Sequence, residues 1–88
     1  MSVYVALLRG INVGGNKKVS MPVLKQMFET MGFARVQTYI NSGNVVFGSA
    51  SAETPDDLGK RLGGEIERTF GFPVDVVVRT AADMRRIA

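Results

Sequence analysis

The chain has 88 residues, 45% hydrophobic and 22% charged, with ten Gly and three Pro; this is the balance of one globular domain and excludes a disordered tail, a collagen-like repeat or a coiled coil. It holds neither Cys nor His, which removes disulfides, thiol nucleophiles, zinc sites built on those residues and every Ser-His-Asp or Cys-His arrangement, so no metal and no cofactor is expected. The formal net charge is +3, and all of the excess lies between Arg9 and Lys18, where Arg9, Lys17 and Lys18 meet no acidic residue.

In chain order, Val3 to Leu8 is a continuous apolar run rich in β-formers, the pattern of a central strand buried on both faces. The segment Gly10 to Asn16 supplies three Gly and two Asn, residues that enter positive φ cheaply, and reads as a loop. Ser20 caps a helix whose first turn carries Pro22. Leu24, Met27, Phe28 and Met31 share one face of that helix, and Gly32 stops it. Arg35 to Ile40 alternates as a half-buried strand, Asn41 to Asn44 turns, and Val45 to Phe47 returns as the partner of a hairpin.

Gly48 to Glu53 is expected to be a loop of small residues. Thr54 caps a second helix, with Pro55, Asp56 and Asp57 in its first turn and Leu58, Leu62, Ile66 and Phe70 as its buried stripe. Gly59 and Gly63, four apart on this helix, are read as permitting close approach to the sheet. Val74 to Arg79 is the fourth strand. Thr30-Met31-Gly32-Phe33 before the second strand is echoed by Thr69-Phe70-Gly71-Phe72 before the fourth, each a helix stop with Gly leaving the helix. Two βαβ units joined by a hairpin, with right-handed crossovers, predict an α+β, ferredoxin-like βαββαβ plait. Its four-stranded antiparallel sheet has the order 4-1-3-2, with both helices on one face. Thr80 to Asp83 repeats a helix-capping pattern. The expected organisation is therefore a domain over residues 1–79 and, over 80–88, the start of a third helix belonging to a longer protein.

Leu7-Leu8-Arg9-Gly10-Ile11-Asn12-Val13-Gly14-Gly15-Asn16, with Lys18 and Met21 after it, and Thr38-Tyr39-Ile40-Asn41-Ser42-Gly43-Asn44-Val45-Val46-Phe47 closely resemble a bacterial family of unknown function, domain-of-unknown-function family 1697. The resemblance runs the length of the chain. It implies a ferredoxin-like first half of a protein about twice as long, and it brings no activity, substrate or catalytic residue with it.

The site expected from the residues is the loop from Arg9 to Lys18. A Gly-rich backbone between strand and helix can aim several N–H groups at one anion, and Arg9, Lys17 and Lys18 add charge. The candidate ligand residues are Arg9, Gly10, Asn12, Gly14, Gly15, Asn16, Lys17 and Lys18, joined by Asn41, Ser42 and Asn44 if the first and second strands run parallel. No Walker A loop is present, because Asn16 follows Gly15 where Lys is needed, and there is no GxGxxG. Small acyl-phosphate hydrolases of the same plait offer an analogy of fold in which Arg9 and Asn41 would be the residues to compare; no catalytic group is assigned. The bland alternative is a tight connection with solvated lysines.

Two rival functions come from other classes. A single-stranded nucleic-acid module would stack bases on Tyr4 and Phe47, although Asn44 to Phe47 lacks the basic-Gly-aromatic run of such domains. A structural or oligomerisation domain would need no ligand. Of the two rows of the first strand, Val3, Val5 and Leu7 against Tyr4, Ala6 and Leu8, one must face away from the helices. Its cover would be the missing C-terminal half or a second copy, and a charge at Leu8 or Ala6, whichever faces outward, is expected to release a homodimer. No run approaches the roughly 18–20 apolar residues that cross a bilayer, and the first residues lack the basic lead of a signal peptide, so a cytoplasmic location is expected.

Overall fold

The first strand is the axis of the architecture. In the computed structural model, which describes residues 2–11, 18–39 and 43–81, the elements are β1 (Ser2–Arg9), α1 (Met21–Thr30), β2 (Ala34–Tyr39), β3 (Asn44–Ser49), α2 (Pro55–Phe70) and β4 (Asp75–Thr80). They form an α+β domain with one sheet of order β2-β3-β1-β4. Every neighbouring pair of strands is antiparallel, so β1 and β2, both opposed to β3, run parallel to each other.

Alternation along β1 decides which row faces the helices. Tyr4, Ala6 and Leu8 belong to the core cluster with Leu24, Phe28, Phe47, Leu58, Leu62 and Ile66; Val3, Val5 and Leu7 therefore lie on the open face. This corrects the expectation that Leu8 or Ala6 looks outward: both serve the helix side. The open row is also less exposed than a bare apolar row would be, since Val5 is buried and Leu7 half-buried, leaving Val3 as its one largely exposed member. Val5 faces Val46 on one side and Arg79 on the other, and a long Arg stem can cover apolar surface while keeping its charge in water.

Phe47 is the hub of the core. Its ring centroid lies 4.7 Å from that of Phe33, 5.3 Å from Phe28 and 5.7 Å from Tyr4, so β1, β3, α1 and the connection into β2 meet in one aromatic cluster. Burying such a ring contributes roughly 1.5–3 kcal/mol. Arg61 of α2 fastens the rim: it pairs with Glu53, its guanidinium stands 5.4 Å from the Phe33 ring centroid, and it donates to the Met31 carbonyl at the end of α1.

The helix boundaries follow their caps. Ser20 and Thr54 precede α1 and α2 with extended backbone, their hydroxyl oxygens accepting from the N–H groups of Val23 and Asp57, and each helix has Pro in its first turn. At the other end both echoed segments place Gly at positive φ, Gly32 at +95° and Gly71 at +86°. After α1 the Phe33 and Gly32 amides donate back to Phe28 and Glu29, the paired bonds of a Schellman stop; after α2 the Gly71 amide alone returns, to Glu67. The close approach read from Gly59 and Gly63 is present, since a Cβ on Gly59 would lie 3.2 Å from the Val76 carbonyl oxygen and one on Gly63 would lie 3.8 Å from that of Val74.

Some boundaries differ from the sequence expectation. Gly48 and Ser49 are strand, not loop, because Gly48 lies opposite both Val3 and Ala34 and pairing on two sides overrides its low strand preference. Thr80 ends β4 opposite Tyr4, and Ala81 directly after it is helical. The expected third-helix start beyond it, over 82–88, lies outside the described residues. Among the described residues no helix is long and apolar enough to cross a membrane.

Candidate functional site

Two loops meet at the end of the sheet where β1 finishes. Because β1 and β2 run parallel, the β1–α1 loop and the β2–β3 hairpin leave the sheet on the same side. They touch through Gly43. The Leu8 N–H donates to the Gly43 carbonyl at 3.0 Å. A Cβ on Gly43 would lie only 2.9 Å from the Leu8 carbonyl oxygen and 3.6 Å from Ile11 Cδ1. With φ at +64° as well, this position has room for glycine and nothing larger.

The β1–α1 loop is staked at both ends. Ile11 and Val19 are buried in the core cluster, while Arg9, Gly10 and Lys18 beside them are exposed. Gly10 turns the chain out of β1 at φ +73°. Arg9 shares the open face with Leu7 and stands opposite Asp75 of β4. Asn44 is half-buried opposite Leu7 on one side and Tyr39 on the other. Of the expected site residues, Arg9, Gly10, Lys18 and Asn44 are thus gathered at this end; Asn12, Gly14, Gly15, Asn16, Lys17, Asn41 and Ser42 lie outside the described residues.

The N-terminus of α1 adds little to this end. Pro22 has no N–H, the Val23 amide is already taken by Ser20 Oγ, and the Leu24 amide donates to the Ser20 carbonyl; this terminus can offer an anion at most the Met21 amide, and the rest must come from the loop itself. Sequence reasoning did not single out Gly43, Ile11 or Val19. The signal for the last two was available, as apolar residues bracketing a polar Gly/Asn/Lys run. For Gly43 it was not, because its tight contact is with residues more than thirty positions away.

The rings proposed for base stacking are on the wrong side. Tyr4 and Phe47 are buried, against each other and beneath the helices, so neither presents a face to a nucleobase. Among the described residues no three or more Asp and Glu side chains are placed to hold a metal ion.

The family described as protein of unknown function DUF1697 matches residues 1–88. The chain belongs to the DUF1697 family. It is also similar to a solved structure, that of the conserved bacterial protein SP0830 from Streptococcus pneumoniae, at 33% identity and a TM-score of 0.79. The alignment covers 97% of this DUF1697 chain and 46% of that protein, so the chain spans about half the length of its relative. No curated protein matches it.

Proposed function

We propose that this DUF1697 chain binds a small anion, inorganic phosphate or a phosphorylated metabolite, at the β1–α1 loop, with the β2–β3 hairpin as the second wall. The observation that carries the reading is the Gly43 contact, which brings the hairpin against the strand that delivers Arg9. The rest of the support comes from charge: the whole excess of +3 falls between Arg9 and Lys18, in a segment whose Gly and Asn content suits backbone N–H groups turned toward one ligand. Two fixed ends, Ile11 and Val19, reduce the loop entropy lost when the ligand is held.

Titration with inorganic phosphate and pyrophosphate, followed by backbone amide shifts, tests this. Arg9, Gly10 and Lys18 are expected to move together at millimolar ligand, and replacing Lys17 and Lys18 by Ala should weaken binding by roughly tenfold or more. Unmoved amides over residues 9–18 would reject the site. In the same titration an oligonucleotide should leave Tyr4 and Phe47 unperturbed.

Strand order, antiparallel sense and a single core fed by both helices support reading the fold as a ferredoxin-like plait. A second reading, a structural module without a ligand that is covered by a second copy or by the other half of a longer protein, draws on the apolar open row of Val3, Val5, Leu7, Val46 and Val77.

A further inference from the structure

The open face of the sheet reaches the same end as the two loops, and the row of side chains nearest them is chemically mixed. Val45 and Phe47 belong to the core with Tyr4, Ala6 and Leu8, so alternation puts Asn44 and Val46 on the open face, and the register extends that face to their partners. Tyr39 lies opposite Asn44, Asn44 opposite Leu7, and Leu7 opposite Val77. Farther from the loops stands a second row, Gln37, Val46, Val5 and Arg79. On the loop side stand Arg9 and Asp75.

Three different surfaces lie side by side in the first row. Tyr39 is 48% exposed, and its Oη donates to Gln37 Oε1 at 3.0 Å, a bond two residues back along β2 that holds the ring along the strand. Asn44 is half-buried between its neighbours, and one amide can both donate and accept. Leu7 and Val77, also half-buried, supply an apolar floor. A ring face, an amide edge and an aliphatic floor suit a flat heteroaromatic group, which stacks through its π-face and hydrogen-bonds through its ring nitrogens and exocyclic groups.

Spacing ties this row to the anion. Neighbouring strands lie about 4.8 Å apart and successive residues rise about 3.4 Å, so Tyr39 stands about 10 Å from Leu7 across the sheet and Arg9 about 7 Å from Leu7 along it. One nucleoside monophosphate bridges base to phosphate over that span once the long Tyr and Arg side chains lean inward; inorganic phosphate cannot touch both. Asp75, opposite Arg9 on the β4 side, disfavours negative charge there and leaves the hairpin side of Arg9 for the phosphate. Among the described residues Tyr39 is the one exposed aromatic side chain, which provides a platform for a single base and not for a run of them.

We infer that the anion held at the β1–α1 loop is the phosphate of a mononucleotide whose base lies on the open face, stacked on Tyr39 and hydrogen-bonded to Asn44 above Leu7, an assignment that rests on the anion reading and narrows it to one ligand class.

Adenosine monophosphate, ribose phosphate and inorganic phosphate, titrated separately into the 88-residue chain and followed at the amides of Arg9, Gly10 and Lys18, separate the two readings. The mononucleotide should bind roughly tenfold or more tighter than ribose phosphate, and saturation of its base protons should transfer to the Tyr39 ring. Tyr39→Ala should remove that advantage and leave the affinity for inorganic phosphate unchanged. Tyr39→Phe keeps the ring and should retain most of it; the side chain is exposed, so both variants are expected to fold. Equal affinity for adenosine monophosphate and ribose phosphate, with the loop amides moving in both titrations, would overturn the assignment and leave the anion site standing. Loop amides unmoved by all three compounds reject the anion site and the assignment together. An oligoadenylate that binds much tighter than the mononucleotide, shifting Val3 and Val46 as well as Tyr39, would instead give the face to a nucleic-acid strand.

Discussion

Gly43 concentrates the local physics of the candidate site in one residue. Its left-handed backbone and its contact with the Leu8 carbonyl act together, so a methyl group there meets conformational strain and a backbone collision at once. Gly43→Ala should cost about 2 kcal/mol or more, read as a drop in the denaturant midpoint at unchanged slope. Because the collision is with β1 at the root of the loop, the amides of Leu8, Gly10 and Ile11 should shift even where the fold survives. A Gly32→Ala variant isolates the conformational part: φ there is +95°, but a Cβ would meet nothing within 4 Å, so its cost should be smaller and confined to the end of α1.

At the level of elements, α2 shows how far a helix can depend on what it packs against. It carries Gly59, Gly63 and Gly64, each unfavourable by about 1 kcal/mol relative to Ala in a helix interior. These glycines are not equivalent. A Cβ on Gly64 would meet nothing within 4 Å, whereas one on Gly59 would press within 3.2 Å of the Val76 carbonyl oxygen. Gly64→Ala should therefore stabilise the protein by about 0.5–1 kcal/mol, while Gly59→Ala should give no gain or a loss, and thermal melts of the two variants side by side decide it. The glycine spacing was legible in the sequence because helical periodicity places residues four apart on one face. So were both N-caps and both Gly stops, since the torsional freedom of Gly and the hydroxyl of Ser or Thr act within a few residues. Gly48 and Ser49 were not legible, because their strand state comes from partners on β1 and β2 that no local window contains. The same reason hid the direction of the β1 rows: alternation said that there were two, and only the placement of the helices says that Tyr4, Ala6 and Leu8 face inward.

For the molecule as a whole, the candidate site was legible as a charge pattern and its assembly was legible only as a condition, that β1 and β2 run parallel, which the sheet meets. The central place of β1 has a further consequence for how the fold is reached. Of these four strands β1 is made first, and two of the three that follow need it: it pairs with β3, whose last residue is Ser49, and with β4, whose last residue is Thr80. Closing the longer loop costs more chain entropy, and during synthesis the β4 side of β1 stays without its strand for several seconds after β3 is available, at roughly 5–20 residues per second. Assembly should thus proceed with β1, β3 and α1 around Phe47 before α2 and β4 are added. On that order, Val45→Ala should mainly slow folding and Val78→Ala mainly speed unfolding, a contrast that the two arms of a chevron plot display directly.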